Sequence, residues 1–349
     1  MDDSPHDTPH IVVWGLGRHA IKNIIPALDS LSELYLYGVC SRDESVVYEC
    51  SQQWKCKGWC DVDQMLEDPL VDIVYLATPI GLHAPQGQRV LEAGKHLWCE
   101  KPLACELEDS EMLVEFADQN HLSLSEGFMY LDHPQFARVA RFVQEGEMGA
   151  VKTVTCRFGI PILERPGFRT DPSLCGGAFW DVGSYMVSAI LALFPNQEAQ
   201  VLFSEKLTQE GYEVDNEGRV ILRFSNGVTA FLDWFIDISY RNEIDVWAER
   251  GALRTDKIFS KAPDYAAVIK LRDLNGVEST EPVVSSNHFI AMFRRFSRML
   301  VDDELANEEK QNILRRARVL DAILLKAKEK SVDKVEVKLN GRVERYKAG

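Results

Sequence analysis

The sequence predicts an α/β fold in two parts. A doubly wound parallel sheet occupies residues 10–127, and an α+β domain with an open-faced, mostly antiparallel sheet occupies residues 128–349. Two patterns carry this reading. In the first part, short continuous apolar runs alternate with helical patterns across short loops, as parallel strands buried on both faces require. In the second, strands alternate apolar and polar residues, most clearly in Arg219–Ser225 and Val228–Asp237 around Asn226-Gly227. Asn-Gly between two alternating runs is the strongest short-range hairpin signal. Residues 1–9 are acidic, lack the basic and apolar regions of a signal peptide, and read as a disordered lead-in.

The first strand is His10–Trp14. It runs into Gly15-Leu16-Gly17-Arg18-His19-Ala20, followed by a helical pattern through Ile21, Ile24, Ile25 and Leu28. This is G-x-G-x-x-A between a strand and a helix, the context that gives a dinucleotide fingerprint its meaning. Gly15 permits the tight turn, Gly17 leaves room for a pyrophosphate, Ala20 allows close helix–strand packing, and the helix N-terminus favours negative charge. Arg18 and His19 lie in the same turn and are further cofactor-binding candidates. The first part therefore reads as a Rossmann domain.

The second strand, Leu34–Cys40, ends at Ser41-Arg42-Asp43. NAD-binding domains place an acidic residue here for the ribose hydroxyls, whereas an arginine accommodates a 2′-phosphate. Ser41 and Arg42 occupy that place and Asp43 falls later, as a cap for the next helix. NADP is favoured over NAD on this ground, the alternative for Arg42 being a solvated residue at a helix start. A helix at Val62–Leu66 and a strand at Val71–Ala77 follow. Thr78, Pro79 and His83 lie in the next loop and are cofactor-contact candidates. His83 has a second reading, as the start of the helix Ala84–Ala93.

The strand His96–Cys99 stops at Glu100-Lys101-Pro102. Proline lacks an N–H and disfavours helix for its predecessor, so Lys101 sits on a rigid corner at the carboxyl end of a strand, where ligands bind in such sheets. We expect the Lys101–Pro102 bond to be cis, aiming the ammonium into the cleft. An amphipathic helix (Leu107, Met112, Leu113, Phe116) and the strand Leu122–Glu126 complete this part.

The second part opens with a helix, Pro134–Glu145, and a strand, Val151–Phe158. Helices at His288–Val301 and Glu308–Lys330 and a strand at Lys334–Leu339 close it. Val220, Leu222 and Phe224 can face helices. Ile221, Phe231 and Phe235 make the opposite face more apolar than a solvated one, which predicts a homo-oligomer, dimer or tetramer, packed through this sheet. After Gly176-Gly177, a helical pattern places Asp181 and Tyr185 at i and i+4 on one face. That pair is either a site or part of a capped core helix. Arg169 either lines a substrate pocket or is a surface arginine paired with Asp171.

The net charge of −15 argues against nucleic acid or anionic membrane as partners. We see no apolar run near the roughly 18 residues of a membrane span. Cys50, Cys56 and Cys60 lack CxxC pairs and a histidine at zinc spacing, while Cys40, Cys99 and Cys156 lie in apolar runs. All eight cysteines read as reduced thiols of a cytoplasmic protein, and no metal site is expected.

The glycine turn, Glu100-Lys101-Pro102 and Gly176-Gly177…Asp181-Val182-Gly183-Ser184-Tyr185, in this order, resemble the glucose–fructose oxidoreductase / inositol dehydrogenase / rhizopine-catabolism (Gfo/Idh/MocA) family from His10 to about Leu339. The resemblance implies a Rossmann domain followed by an open-faced α/β domain, with the active site between them. It implies that Lys101 touches cofactor and substrate, that Asp181 orients the substrate or the lysine, and that Tyr185 is the acid/base. Glu100 would join the cofactor site. Many relatives have histidine at the last position. Tyrosine resembles the branch with dimeric dihydrodiol dehydrogenase and the sugar-nucleotide 3-ketoreductases, which weakens any inference of inositol dehydrogenase activity. The expected reaction is hydride transfer between a nicotinamide and a hydroxyl or ketone carbon of a sugar or nucleotide-sugar, with ketone reduction favoured. A dihydrodiol or aldose dehydrogenase is the alternative enzyme, and a dinucleotide-sensing regulator without turnover is the alternative class. A free phenol has a pKa of about 10, and an ammonium within a few ångströms is expected to stabilise the Tyr185 phenolate and lower that value.

Overall fold

The computed structural model describes residues 8–161, 164 and 167–329. The expected strand at Lys334–Leu339 and residues 1–7 of the lead-in lie outside them. The first sheet contains β1 (His10–Trp14), β2 (Tyr35–Cys40), β3 (Lys57–Trp59), β4 (Ile73–Leu76), β5 (His96–Cys99) and β6 (Leu124–Glu126), all parallel. Its order is β3-β2-β1-β4-β5-β6, so the chain reverses direction across the sheet between β1 and β4, which opens a crevice at their carboxyl ends. β3 has no counterpart in the sequence reading. Three residues, two of them exposed, are too few to show a periodicity.

Helices α1 (Ile25–Asp29), α2 (Glu44–Trp54), α3 (Val62–Glu67), α4 (His83–Glu92) and α5 (Leu107–Gln119) connect these strands. Asp43 caps α2 as expected, its carboxylate accepting from the Ser45 and Val46 amides at 3.1 and 3.3 Å.

Helix α6 (Pro134–Gln144) leads into the second sheet. Its strands are β7 (Val151–Ile160), β8 (Ala199–Leu207), β9 (Glu217–Phe224), β10 (Thr229–Ile236), β11 (Arg241–Ala248), β12 (Gly251–Asp256), β13 (Val268–Asp273) and β14 (Glu278–Pro282). The order is β14-β13-β12-β11-β7-β10-β9-β8, antiparallel except where β7 runs beside β10. The predicted hairpin is β9–β10, with Leu222 opposite Ala230 and Val220 opposite Leu232. Val220, Leu222, Phe224, Leu232 and Trp234 are at most 1% exposed, each contributing about 1.5–3 kcal/mol by burial. Helix α7 (Ser184–Leu193) packs over this inner face. The outer face keeps Phe203, Phe231 and Trp247 exposed.

Helices α8 (His288–Arg298) and α9 (Asp303–Lys328) close the described chain. α9 returns to the first sheet, where Arg316 Nε donates to Glu126 Oε2 at 2.5 Å and Nη2 to Glu309 Oε1 at 2.8 Å.

Two expectations are corrected. The stretch Pro172–Leu193 is long and apolar enough to cross a membrane, yet 78% of its most apolar window is buried inside the protein, where it serves as core. Cys105 and Cys175 are joined in a disulfide, so the eight cysteines are not all reduced. These two lie 70 residues apart on loops that meet only when the two halves pack, a proximity absent from local sequence. The other six are free.

Candidate active site

The dinucleotide turn forms at the end of β1. Gly15 has φ +110°, and a Cβ there would lie 2.7 Å from the Ala77 carbonyl carbon, so only glycine lets this turn pass so close to the end of β4. A Cβ on Gly17 would meet nothing within 4 Å; the space a pyrophosphate needs is present. Beyond the turn the chain enters a π-helical turn, Ala20–Ile24, before α1. Arg18 is exposed. Ser41 and Arg42 follow β2, with Arg42 exposed and Asp43 committed to its cap. These residues fit a nicotinamide dinucleotide, and an arginine without a competing carboxylate suits one with a 2′-phosphate.

Thr78 Oγ1 donates to Gln86 Oε1 at 2.6 Å, and Pro79 precedes the short turn Ile80–Leu82. His83 is fully buried. Its ring nitrogens face the Pro102 carbonyl at 2.9 Å and the Thr78 carbonyl at 2.8 Å. It starts α4 and ties two loops together, in keeping with its reading as the start of that helix, and both ring nitrogens are taken by these carbonyls. Burial lowers its pKa despite these carbonyls.

The Lys101–Pro102 bond is cis, as expected. Just beyond it, the Leu103 amide donates to Glu126 Oε1 at 2.8 Å. Glu100 accepts from the Tyr75 hydroxyl at 2.7 Å and lies 3.0 Å from His19 Nε2, connecting the lysine corner to the glycine turn. Burial raises the Glu100 carboxyl, but His19, Tyr75 and Lys101 outweigh it and the net shift is downward.

Asp181 and Tyr185 come to this corner from the second half. Asp181 lies in a π-helical turn, Phe179–Gly183, and Tyr185 in the first turn of α7. Lys101 Nζ donates to the Asp181 carbonyl at 2.5 Å and lies 3.6 Å from its Oδ1. Arg169 Nε donates to Asp181 Oδ2 at 2.6 Å. Arg169 is therefore held by Asp181; Asp171 is occupied capping the turn Pro172–Leu174. The Asp181 carboxyl is pushed up by burial and pulled down further by Lys101 and Arg169, so it stays ionised. Burial lowers the Lys101 ammonium, with Asp181 and Glu100 opposing.

Tyr185 departs from expectation. Lys101 Nζ sits over its ring, 4.3 Å from the centroid, while its hydroxyl points to Met129 Sδ at 3.6 Å. Phe128, Phe158 and Phe259 surround the ring at 5.6, 5.6 and 6.0 Å. Burial first, then the carboxylates of Glu100 and Asp181, raise the phenol well above its ordinary value. The net shift is therefore upward, against the expected lowering: burial and the two carboxylates outweigh the ammonium, which meets the ring face and not the oxygen. Tyr185 is a protonated phenol.

Sequence reasoning missed Tyr75, Glu126, Tyr130 and Arg316. Tyr130 donates to the Tyr185 carbonyl at 3.1 Å and shares a 2.5 Å hydrogen bond with Ser188. A glutamate closing an apolar strand at the carboxyl edge was a usable signal for Glu126; its partner Arg316 is 190 residues away. Among the described residues, no group of three or more His, Cys, Asp or Glu could hold a metal ion.

Residues 10–128 match the Gfo/Idh/MocA profile described as "Oxidoreductase family, NAD-binding Rossmann fold", and residues 136–254 match the "GFO/IDH/MocA C-terminal domain". The chain is 29% identical to the dTDP-3,4-didehydro-2,6-dideoxy-alpha-D-glucose 3-reductase of Saccharopolyspora spinosa, over 90% of this chain and 96% of that one. It is 28% identical to a D-xylose 1-dehydrogenase (NADP(+)) of Haloferax volcanii, over 89% and 95%. The crystal structure of KijD10, a 3-ketoreductase from Actinomadura kijaniata in complex with NADP and TDP-benzene, superposes with a TM-score of 0.87 at 26% identity, covering 92% and 98%. With the fingerprint, the cis-proline corner and both profile matches in place, the chain belongs to the Gfo/Idh/MocA family of nicotinamide-dependent oxidoreductases.

Proposed function

We propose that this protein uses NADPH to reduce a ketone on a nucleotide-linked sugar, with Tyr185 as proton donor and Lys101 and Asp181 completing the catalytic set. The observation that carries this reading is the meeting of the three side chains at one corner, with Lys101 Nζ 3.6 Å from Asp181 Oδ1 and 4.3 Å from the centre of the Tyr185 ring. Reduction of a ketone leaves negative charge on oxygen, and a phenol kept protonated at neutral pH is equipped to discharge it. The 3-reductase and 3-ketoreductase relatives support the substrate class.

The Gly15–Ala20 turn, Ser41, Arg42, Thr78 and Pro79 would hold the cofactor, whose nicotinamide supplies the hydride when bound. Tyr185 gives its hydroxyl proton to the substrate oxygen. The Lys101 ammonium over the ring then stabilises the phenolate left behind. Asp181 fixes Lys101, and Arg169 fixes Asp181 from the other side. Arg169 is one-third exposed, and its remaining donors can meet a phosphate or hydroxyl of the substrate.

The D-xylose dehydrogenase relative favours a second reading, oxidation of a free aldose. We also propose a homo-oligomer through the outer sheet face, supported by the exposure of Phe203, Phe231 and Trp247.

A substrate panel tests the reading. A dTDP-linked 3-keto-sugar with NADPH should exceed D-xylose or a trans-dihydrodiol with NADP⁺ by about 10² or more in kcat/KM. Faster aldose oxidation would select the second reading, and cofactor binding with no turnover would indicate a regulator.

A further inference from the structure

The disulfide joins the two halves of the molecule at the site. Cys105 lies four residues beyond Lys101, and Cys175 lies six before Asp181. Cys175 ends a loop, residues 167–175, that carries Arg169. None of the nine residues in this loop is fully buried; Phe168 and Cys175 are its partly buried contacts with the core. Inside it Asp171 accepts from the Ser173 amide and hydroxyl at 2.9 and 2.6 Å, and at its end the Gly176 amide donates to the Asp171 carbonyl at 2.9 Å and the Gly177 amide to the Arg169 carbonyl at 2.8 Å. These bonds make Arg169 follow Cys175.

Against the first half, the loop backbone rests on Gly81, where a Cβ would come within 2.9 Å of Leu174. That contact is one of shape, with no side chain on the glycine. Beside the non-covalent chain from Arg169 through Asp181 to Lys101, the disulfide is the one covalent tie between this loop and the lysine corner among the described residues. Both cysteines are partly exposed, within reach of a reductant.

We propose that Cys105 and Cys175 form a redox-cleavable latch that holds the Arg169 loop over the cleft and so sets the affinity for substrate. The link to substrate affinity rests on the cleft being the sugar site proposed above. A dithiol opens the latch by exchange. Its thiolate attacks one sulfur, the other sulfur leaves as a thiolate and takes up a proton, and a second exchange releases the reductant as its own disulfide. The pair gains two electrons and two protons. A disulfide oxidant such as oxidised glutathione reverses the process.

The test uses the full chain in three forms: treated with oxidised glutathione, reduced with dithiothreitol, and Cys175→Ser. Amide hydrogen exchange over residues 167–177 should be about tenfold faster in the second and third forms. KM for a nucleotide-linked keto-sugar should rise about tenfold in those forms, with kcat within about threefold and NADPH affinity within about twofold. Reoxidation should restore the reduced sample, a control that does not depend on the variant folding. Peptide mapping that finds both thiols free after oxidised glutathione overturns the latch, as does equal exchange in the oxidised and reduced forms. A loop that loosens while KM stays fixed overturns the link to substrate affinity. Redox-dependent exchange with no turnover of any nucleotide-linked sugar leaves the latch standing and overturns the substrate reading.

Discussion

Lys101 Nζ lies 4.3 Å from the centre of the Tyr185 ring, above its face and not at its hydroxyl. A cation over an aromatic face is held by the ring's quadrupole, and that attraction grows when the oxygen ionises. Burial and the carboxylates of Glu100 and Asp181 keep the phenol protonated at rest, and the lysine stabilises the phenolate after proton transfer. Lys101→Ala should lower kcat for ketone reduction by about 10² or more. Because the Tyr185 phenol is held above its ordinary value of 10.0 while burial lowers the Lys101 ammonium from its ordinary 10.5, any fall in the wild-type reduction rate as pH rises from 7 toward 10 should follow loss of the Lys101 proton and not of the Tyr185 proton. A pH–rate series on wild type and Lys101→Ala checks both, and a decline that persists in Lys101→Ala would mean the phenol ionises early.

The lysine corner has its own support. Glu126 holds the Leu103 amide and receives Arg316 from α9, with both charges under 10% exposed. Removing Glu126 leaves the Leu103 amide without its acceptor and Arg316 with Glu309 alone, so Glu126→Ala should cost about 1–3 kcal/mol in denaturant unfolding. Glu126→Gln keeps an acceptor for Leu103 and should retain more activity than Glu126→Ala.

Two buried histidines make stability depend on pH. Burial, then the nearby Lys261 charge, lower His133 to about 4 and His288 to about 3, from an ordinary 6.5. Below pH 6.5 the unfolded chain binds protons at these sites that the folded chain does not. Stability is therefore fully present above 6.5 and is lost as pH falls toward 4, by about 1.4 kcal/mol per pH unit for each histidine. Thermal melts from pH 7.5 to 4.5 check this. His288→Asn should flatten the slope.

Arg42 is the residue on which coenzyme choice turns. It follows β2, is exposed, and has Asp43 withdrawn into the α2 cap. Arg42→Ala should reduce the NADPH-to-NADH ratio of kcat/KM by about tenfold, with little effect on the NADH value.

Much of this was legible in the sequence because local physics determined it. The glycine turn, the alternating hairpin strands and Glu100-Lys101-Pro102 each announce a backbone geometry that few other residues allow. Asp181 and Tyr185 were recoverable because an i, i+4 pair shares a helix face, although the turn containing Asp181 is π-helical. What stayed hidden depends on packing between distant segments. The Cys105–Cys175 bond, the Glu126–Arg316 pair and the aromatic shell around Tyr185 join residues 70, 190 and up to 74 positions apart. The direction of the Tyr185 shift was misread for the same reason. The family resemblance brings Lys101 near the tyrosine but does not say whether it meets the ring or the oxygen.

The central claim is that Tyr185 delivers the proton. Single-turnover reduction of a dTDP-linked 3-keto-sugar by NADPH-loaded protein, comparing wild type with Tyr185→Phe, tests it most directly. Phenylalanine preserves the ring, its aromatic neighbours and the seat for Lys101, and removes only the hydroxyl. The account predicts a rate about 10² or more below wild type with NADPH affinity unchanged. A Tyr185→Phe rate within about twofold of wild type would contradict it.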